Sequence, residues 1–331
     1  MLNNWFGRGK ANTYAKNDQG FKYHPTADLN QITEFLQQHQ KAKRRIIRLP
    51  IPGDPNHAYA IQVLPDEMYD MWELLRSQAE TFHMWPVLHV SWNQYSLGWE
   101  NAIKKDDIFN RNPFECEISK QPQHPRTIMA GVDPSHVQLL VNHYDGRYSA
   151  NLSENLAYLL DNMVLSDGLK KQARHLVDQG HITSFVGLTK WMIDQEEVKN
   201  QPTRDLKEQA TYLSWFEPDN EHYALILLPV EHSWEALAYM RFHGTEGGGS
   251  AAVVSMLKHW HDQYGAELVS HYGTMLQLKS QRKPATLEAA LQLSLEHEAV
   301  AESTTVTPGV TVIEHAQILQ HKNRWFLHQA V

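Results

Sequence analysis

The run "HYALILLPV" at 222–230 is an uninterrupted apolar strand, and it constrains the chain more than any other stretch. A run of this length and residue type reads as a strand shielded from water, which other elements must cover. A similar run, "HAYAIQVLP", stands at 57–65, and a Trp-Glu pair follows each, Trp72–Glu73 and Trp234–Glu235. The shared stretch is short and apolar, and chance accounts for it better than duplication.

The elements around these strands follow from periodicity and breakers. "TADLNQITEFLQQHQKAKR" places Leu29, Ile32, Phe35 and Leu36 at helical spacing behind Asp28 as N-cap. "RRIIRLPI" is a strand stopped by "PGDPN", and the basic run "KAKRR" at 41–45 is the solvated end of the helix entering it. Met68, Met71, Trp72, Leu75, Ala79 and Phe82 share one helical face behind the acidic start Asp66–Glu67. "PVLHVSW" is a buried strand. Helix, strand, strand, helix, strand is the order of a mixed lobe.

Residues 96–135 lack periodicity and read as loops, with a short strand around Phe114–Ile118 that carries Cys116 on one face. From 133 to about 209 the pattern is helical, with Leu152, Leu156, Leu159 and Met163 on one stripe and Gly180 as a C-cap stop. Within it, the Asp-Gly pair of "HYDGRYS" at 143–149 is a hairpin-turn signal. "KNQPTRDLKEQAT" reads as a linker. Beyond it, "WEALAYMRFH" alternates as a strand beside 222–230, and "AELVSHYGTMLQLK" reads as a hairpin turning near Gly273. Helices follow from Thr286, a candidate N-cap behind Pro284, and in "VTVIEHAQILQH"; "WFLHQAV" closes as a strand. The expectation is an α+β protein with a mixed N-terminal lobe (1–132), a helical middle (133–205) and a C-terminal sheet with flanking helices (206–331).

Charge and composition narrow the function. The formal net charge of −8 opposes nucleic acid and anionic membranes, whose phosphates need clustered Lys and Arg. One cysteine permits no intramolecular disulfide and no cysteine-rich zinc site. The start lacks a signal-peptide core, and no stretch approaches the roughly 18 apolar residues of a membrane span, so a cytoplasmic location is expected.

Motifs for catalysis are weak. "RFHGTEGGGSAAVVSML" at 241–257 reads as strand, glycine turn and helix, but it lacks the P-loop lysine and puts Glu246 where an anion belongs. Its plain reading is a turn capped by Ser250. His259 and His261 point roughly 200° apart on a helix and cannot chelate one metal. Glu296–His297 opens like a zinc motif but lacks a second histidine four residues on. Cys116 lies between Glu115 and Glu117, which discourage a thiolate, and no Gly-x-Ser-x-Gly elbow occurs. No catalytic residue, metal ligand or cofactor is expected.

The C-terminal part, about 220–331, resembles the bacterial domain-of-unknown-function family 4253. The likeness rests on "YALILLPVEHSWEALAYMRF", "LKHWHDQYGAELVSHYGTMLQL", "KPATLEAALQLSLEHEAV" and "ILQHKNRWFL". Its Leu-x-x-Trp-x-x-x-Tyr-Gly-Ala-Glu element is Leu257, Trp260, Tyr264, Gly265, Ala266 and Glu267 here. The run 71–90 resembles a segment that often precedes the domain. Two features depart from the family: "HGTEGGGS" replaces a Gly-Trp-Asn-x-Cys-Pro-like turn, and Trp325–Phe326–Leu327–His328 reduces a Trp-x-Trp-Trp-Asp signature. The resemblance implies a fold and no reaction.

These features together point to a non-enzymatic protein-binding protein, in its concrete form an immunity or antitoxin-type protein that occludes a basic toxin. The contact residues expected are Trp234, Trp99, His243, Thr245, Glu246 and Gly248, with the aromatic rings as anchors. Trp5 and Trp92 are further contact candidates, whereas Trp72, Trp191 and Trp260 belong to apolar stripes. The rival expectation is a hydrolase or transferase built from His243, Glu246, His259 and Glu267.

Overall fold

The structure is a computed structural model that describes residues 26–41, 43–52, 54–91, 98–106, 108–109, 124–199, 210–215, 217–219, 222–240, 242 and 249–330. Its sheet has seven strands: β1 Ile46–Pro50, β2 His57–Gln62, β3 Trp85–Val90, β4 Tyr223–Leu228, β5 Glu267–His271, β6 Met275–Lys279 and β7 Arg324–His328. Their spatial order is β1-β2-β4-β3-β5-β6-β7. β4 runs antiparallel to both β2 and β3, while β3 and β5 are parallel. All six residues of β3 and all six of β4 are buried, which explains why "YALILL" carries no polar alternation.

This topology corrects the separation into an N-terminal and a C-terminal lobe. The strand that opens the C-terminal part sits between two N-terminal strands, so both ends of the chain build one α+β sheet. The stretch 233–239 is also corrected. It forms a 3-10 turn, Ser233–Glu235, and a helical turn, Ala236–Tyr239, in place of a strand. The Glu235 carboxylate accepts the His232 backbone N–H at 3.0 Å and closes the helical turn, and the places beside β4 are already filled by β2 and β3.

The helices are α1 Leu29–Gln38, α2 Met68–Arg76, α3 Ala79–Phe82, α4 Trp99–Asp106, α5 Pro125–Ala130, α6 Ser135–Ala150, α7 Leu152–Asn162, α8 Asp167–Asp178, α9 Phe185–Ile193, α10 Glu196–Lys199, α11 Ala236–Tyr239, α12 Gly249–Tyr264, α13 Leu287–Ala301, α14 Ser303–Val306 and α15 Val312–Leu319. Asp28 caps α1 in a reciprocal box with Gln31, and the Thr286 side chain accepts the Ala289 N–H to start α13. Gly180 ends α8 with a φ of 68°. The Asp145–Gly146 pair lies inside α6 and makes no hairpin. There the Asp145 carboxylate accepts the Val186 N–H at 2.8 Å and the Ser149 hydroxyl at 3.0 Å, contacts that hold the helix where its glycine is weak.

Two apolar cores result. The larger surrounds the sheet; the smaller joins Tyr144, Leu156, Leu160, Phe185, Leu188 and Met192 of the helical middle to Leu291, Leu295 and Ile313. The middle helices therefore pack on the C-terminal helices α13 and α15. α13 contributes Leu293, Val300 and Ala301 to the first core and Ala290, Leu291 and Leu295 to the second, so it is the wall between them. Lys41 and Arg44 of the basic run both reach Glu67, at 2.7 and 2.5 Å. Among the described residues, no helix is long and apolar enough to cross a membrane.

Candidate functional site

Of the two expected contact residues among the described residues, Trp99 and Trp234, the structure leaves Trp234 at the surface. The 3-10 turn presents its ring half-buried beside the sheet core. The His232 imidazole stacks near it at 5.9 Å between centroids and 14° between planes. The Lys258 ammonium of α12 lies 5.4 Å from the ring centroid, a cation–π distance, and is held by Asp262 at 2.7 Å. His261 stands 6.1 Å from His232, and Glu231 reaches His83 at 2.9 Å. Burial raises the Glu235 carboxyl above its ordinary range, against the bonds it accepts from the His232 and Glu231 backbone. The result is a ledge of aromatic rings with carboxylates among them.

Trp99 does not belong to that surface. It is 3% exposed, and its indole N–H donates to the Tyr223 carbonyl at 2.8 Å, anchoring α4 to β4. A glycine before it and a polar loop give no sequence sign of this, because the acceptor lies 124 residues away. His243, Thr245, Glu246 and Gly248, with Cys116, Trp5 and Trp92, lie outside the described residues. His259 and Glu267 engage different partners. His259 faces Glu296 at 3.4 Å, and Glu267 takes both nitrogens of the Arg76 fork at 2.6 Å each.

Glu296 and His297, which the sequence offers only as an incomplete zinc motif, belong to a polar row inside the molecule. Glu296, His297 and Glu298 are consecutive on α13 and are 2%, 0% and 2% exposed. A helix turns about 100° per residue, so three neighbours face three directions, and only a helix enclosed on all sides buries them all. Glu296 accepts the Trp260 indole N–H at 2.9 Å and the Gln292 amide at 3.0 Å. The His297 Nδ1 meets His315 Nε2 at 3.1 Å, and His315 Nδ1 meets the Tyr212 hydroxyl at 2.6 Å. Glu298 accepts from the Thr305 hydroxyl and, at 3.5 Å, from the Tyr144 hydroxyl. Burial lowers both imidazoles and raises Glu298 to about 8. The available signal was "LQLSLEHEAV", where charges interrupt an otherwise apolar helix.

Beside Glu298 is a cavity of about 10 Å³, lined by His143, Tyr144, Arg147, Glu302 and Gln329 among others. It has room for a single water. At the centre of the sheet's strand order, His89 bonds Asp106 at 2.5 Å through Nε2 and the His271 carbonyl at 3.2 Å through Nδ1. Both ring nitrogens are engaged, so the pair acts as a clamp between α4, β3 and β5. Among the described residues, no group of three or more His, Cys, Asp and Glu side chains is placed to hold a metal ion.

The fold is α+β, and its C-terminal half carries both the ledge and the polar row. Residues 224–328 match the family described as Domain of unknown function (DUF4253). The match begins at β4 and ends in β7, so the run 71–90 lies outside it. No curated protein and no solved structure matches the chain. The Leu257–Glu267 element of that domain has a clear physical role here. Trp260 fills the core, Gly265 turns the chain with a φ of 62°, and Glu267 fastens β5 to α2.

Proposed function

We propose that this protein works by binding another protein, a basic one, through the Trp234 ledge, and that its specific form is an immunity or antitoxin-type protein that occludes its partner. The observation that carries this reading is the half-buried Trp234 ring, held in place by His232 and Lys258 at a surface that also bears Glu231 and Asp262. A ring fixed before binding loses little entropy in the complex and buries a large area, which is why such rings dominate interfaces. The net charge of −8 favours encounter with a cationic partner.

The test is purification of the tagged full chain from its own host beside a Trp234→Ala variant. A basic protein should accompany the wild type in stoichiometric amount, be lost from the variant, and be relieved of toxicity on co-expression. Retention of that protein by the variant removes the ledge from the reading. Its absence from the wild type removes the reading itself.

A further inference from the structure

The two edges of the sheet are finished differently. At β7, the Thr304 hydroxyl of α14 accepts the His328 N–H at 3.0 Å, so a side chain closes the end of that edge. β1 stands at the other end of the strand order and, among the described residues, pairs with β2 alone. The Arg45 carbonyl accepts the Gln62 N–H at 2.9 Å, which sets the parity of that pairing. Arg45, Ile47 and Leu49 turn their backbone groups to β2, whereas Ile46, Arg48 and Pro50 turn theirs outward. Among the described residues, no hydrogen bond reaches the outward N–H groups of Ile46 and Arg48 or the carbonyls of Ile46, Arg48 and Pro50.

The side chains along this edge divide by face. Ile47 and Leu49 are buried on one face, and Arg48 and Pro50 are exposed on the other. Lys43 and Arg45, just before the strand, are exposed as well. Their neighbours Lys41 and Arg44 are taken up by Glu67. One guanidinium nitrogen of Arg48 meets His57 Nδ1 at 3.1 Å, which leaves most of its donors for another partner. Glu100, whose carboxyl feels Arg45, is already bonded to Lys104 at 2.6 Å. A chain with a net charge of −8 therefore carries exposed cations along its open strand edge.

We propose that the β1 edge is a strand-addition site for an extended acidic segment of another protein, one in which carboxylate side chains alternate with apolar ones. An antiparallel strand laid there exchanges both backbone bonds with Arg48 and with Ile46. The two-residue period then sets an acid opposite Arg48 and apolar side chains beside Ile47 and Leu49. A second copy of the chain fits worse. Two β1 strands brought together crowd Lys43, Arg45 and Arg48 of both copies, and such charges, with a proline that supplies no donor, are devices against self-pairing. Nucleic acid brings the charge but no peptide ladder for the outward N–H and C=O groups. The site shares no residue with the Trp234 ledge and is independent of what the ledge binds.

Amide hydrogen exchange of the full chain, read by NMR, tests the edge with a short capped peptide of alternating valine and glutamate. Without peptide, the Ile46 and Arg48 amides should exchange freely while those of Ile47 and Leu49 are protected. The glutamate peptide should bind and protect Ile46 and Arg48. The same peptide with lysine in place of glutamate should bind about tenfold more weakly. Arg48→Glu, an exposed change, should reverse that preference, and continued protection of Ile47 and Leu49 reports that its sheet is intact. Should Arg48→Glu fail to fold, the two peptides on the wild type decide. Protection of Ile46 and Arg48 before any peptide is added, by a second copy or by the chain itself, overturns the proposal. So does a glutamate peptide that fails to bind at about 1 mM, or equal binding of the two peptides. A short oligonucleotide that displaces the glutamate peptide and protects neither amide assigns the cations to nucleic acid, and the strand-addition site is then refuted.

Discussion

His297 and His315 face each other 3.1 Å apart in the interior, Nδ1 to Nε2, with the Tyr212 hydroxyl on the far nitrogen of His315 at 2.6 Å. The Tyr212 hydroxyl bonds His315 Nδ1, His315 Nε2 bonds His297 Nδ1, and the His297 ring lies edge-on to Trp260 and Trp325 at centroid distances of 5.0 and 4.9 Å. The bond between the two rings requires that at least one be neutral, and burial lowers both imidazoles, His315 to about 3.

An acid-labile fold follows. The unfolded chain binds protons on these rings below about pH 6.5, whereas the folded chain does not until far lower pH. Their contribution is fully present above about pH 6.5 and is lost as pH falls toward about 3. Urea midpoints measured from neutral to acid pH should fall over that window. His315→Leu should flatten the slope. It should also cost about 1–3 kcal/mol at pH 7, because the Tyr212 hydroxyl and the His297 nitrogen lose their partner.

Arg76 and Glu267 form a two-pronged ion pair between α2 and β5, with the Glu267 side chain 9% exposed. Arg76→Ala should destabilise by about 2–4 kcal/mol by leaving that carboxylate without its counter-charge. Arg76→Lys should recover only part of this, since an ammonium cannot make two parallel bonds. Equilibrium denaturation of the two variants gives the comparison, and equal losses in both would show that the fork geometry contributes nothing.

Gly265 and Gly180 both have left-handed backbones, φ 62° and 68°, in different surroundings. A Cβ at Gly180 meets open space, while one at Gly265 comes within 3.0 Å of the Gln281 side chain. Gly180→Ala should therefore cost about 1 kcal/mol, the strain alone. Gly265→Ala should cost at least that, plus whatever the displacement of Gln281 adds. Thermal melts of the two variants side by side measure the difference.

What could be read from the residues was local. The Asp28 cap, the Met68–Leu75 stripe, the Gly273 turn and the Thr286 start of α13 all stand where spacing put them. The stretch 233–239 misled because an alternation of apolar residues is shared by short helical turns, and neighbouring strands had already filled the sheet. Trp99 misled because its surroundings in the sequence are polar while its partner, Tyr223, is far along the chain. At the ledge, the place of Trp234 off the apolar stripes was legible, but its setting by Lys258 was not.

By itself, the sequence determined the strongly periodic helices and strands, though it missed α4 and α5 in the stretch 96–135 read as loops; it also determined that β4 must be enclosed and that the whole carries an acid excess, because periodicity and charge are properties of neighbours. Tertiary structure decided that β4 lies between β2 and β3, that α13 divides two cores, and that Glu296, His297 and Glu298 each find a separate polar partner. Those outcomes depend on contacts such as Arg76 to Glu267, 191 residues apart, and Tyr212 to His315, 103 apart. Burial is a property of the assembled chain, and it makes a surface acid into a buried one that keeps its proton.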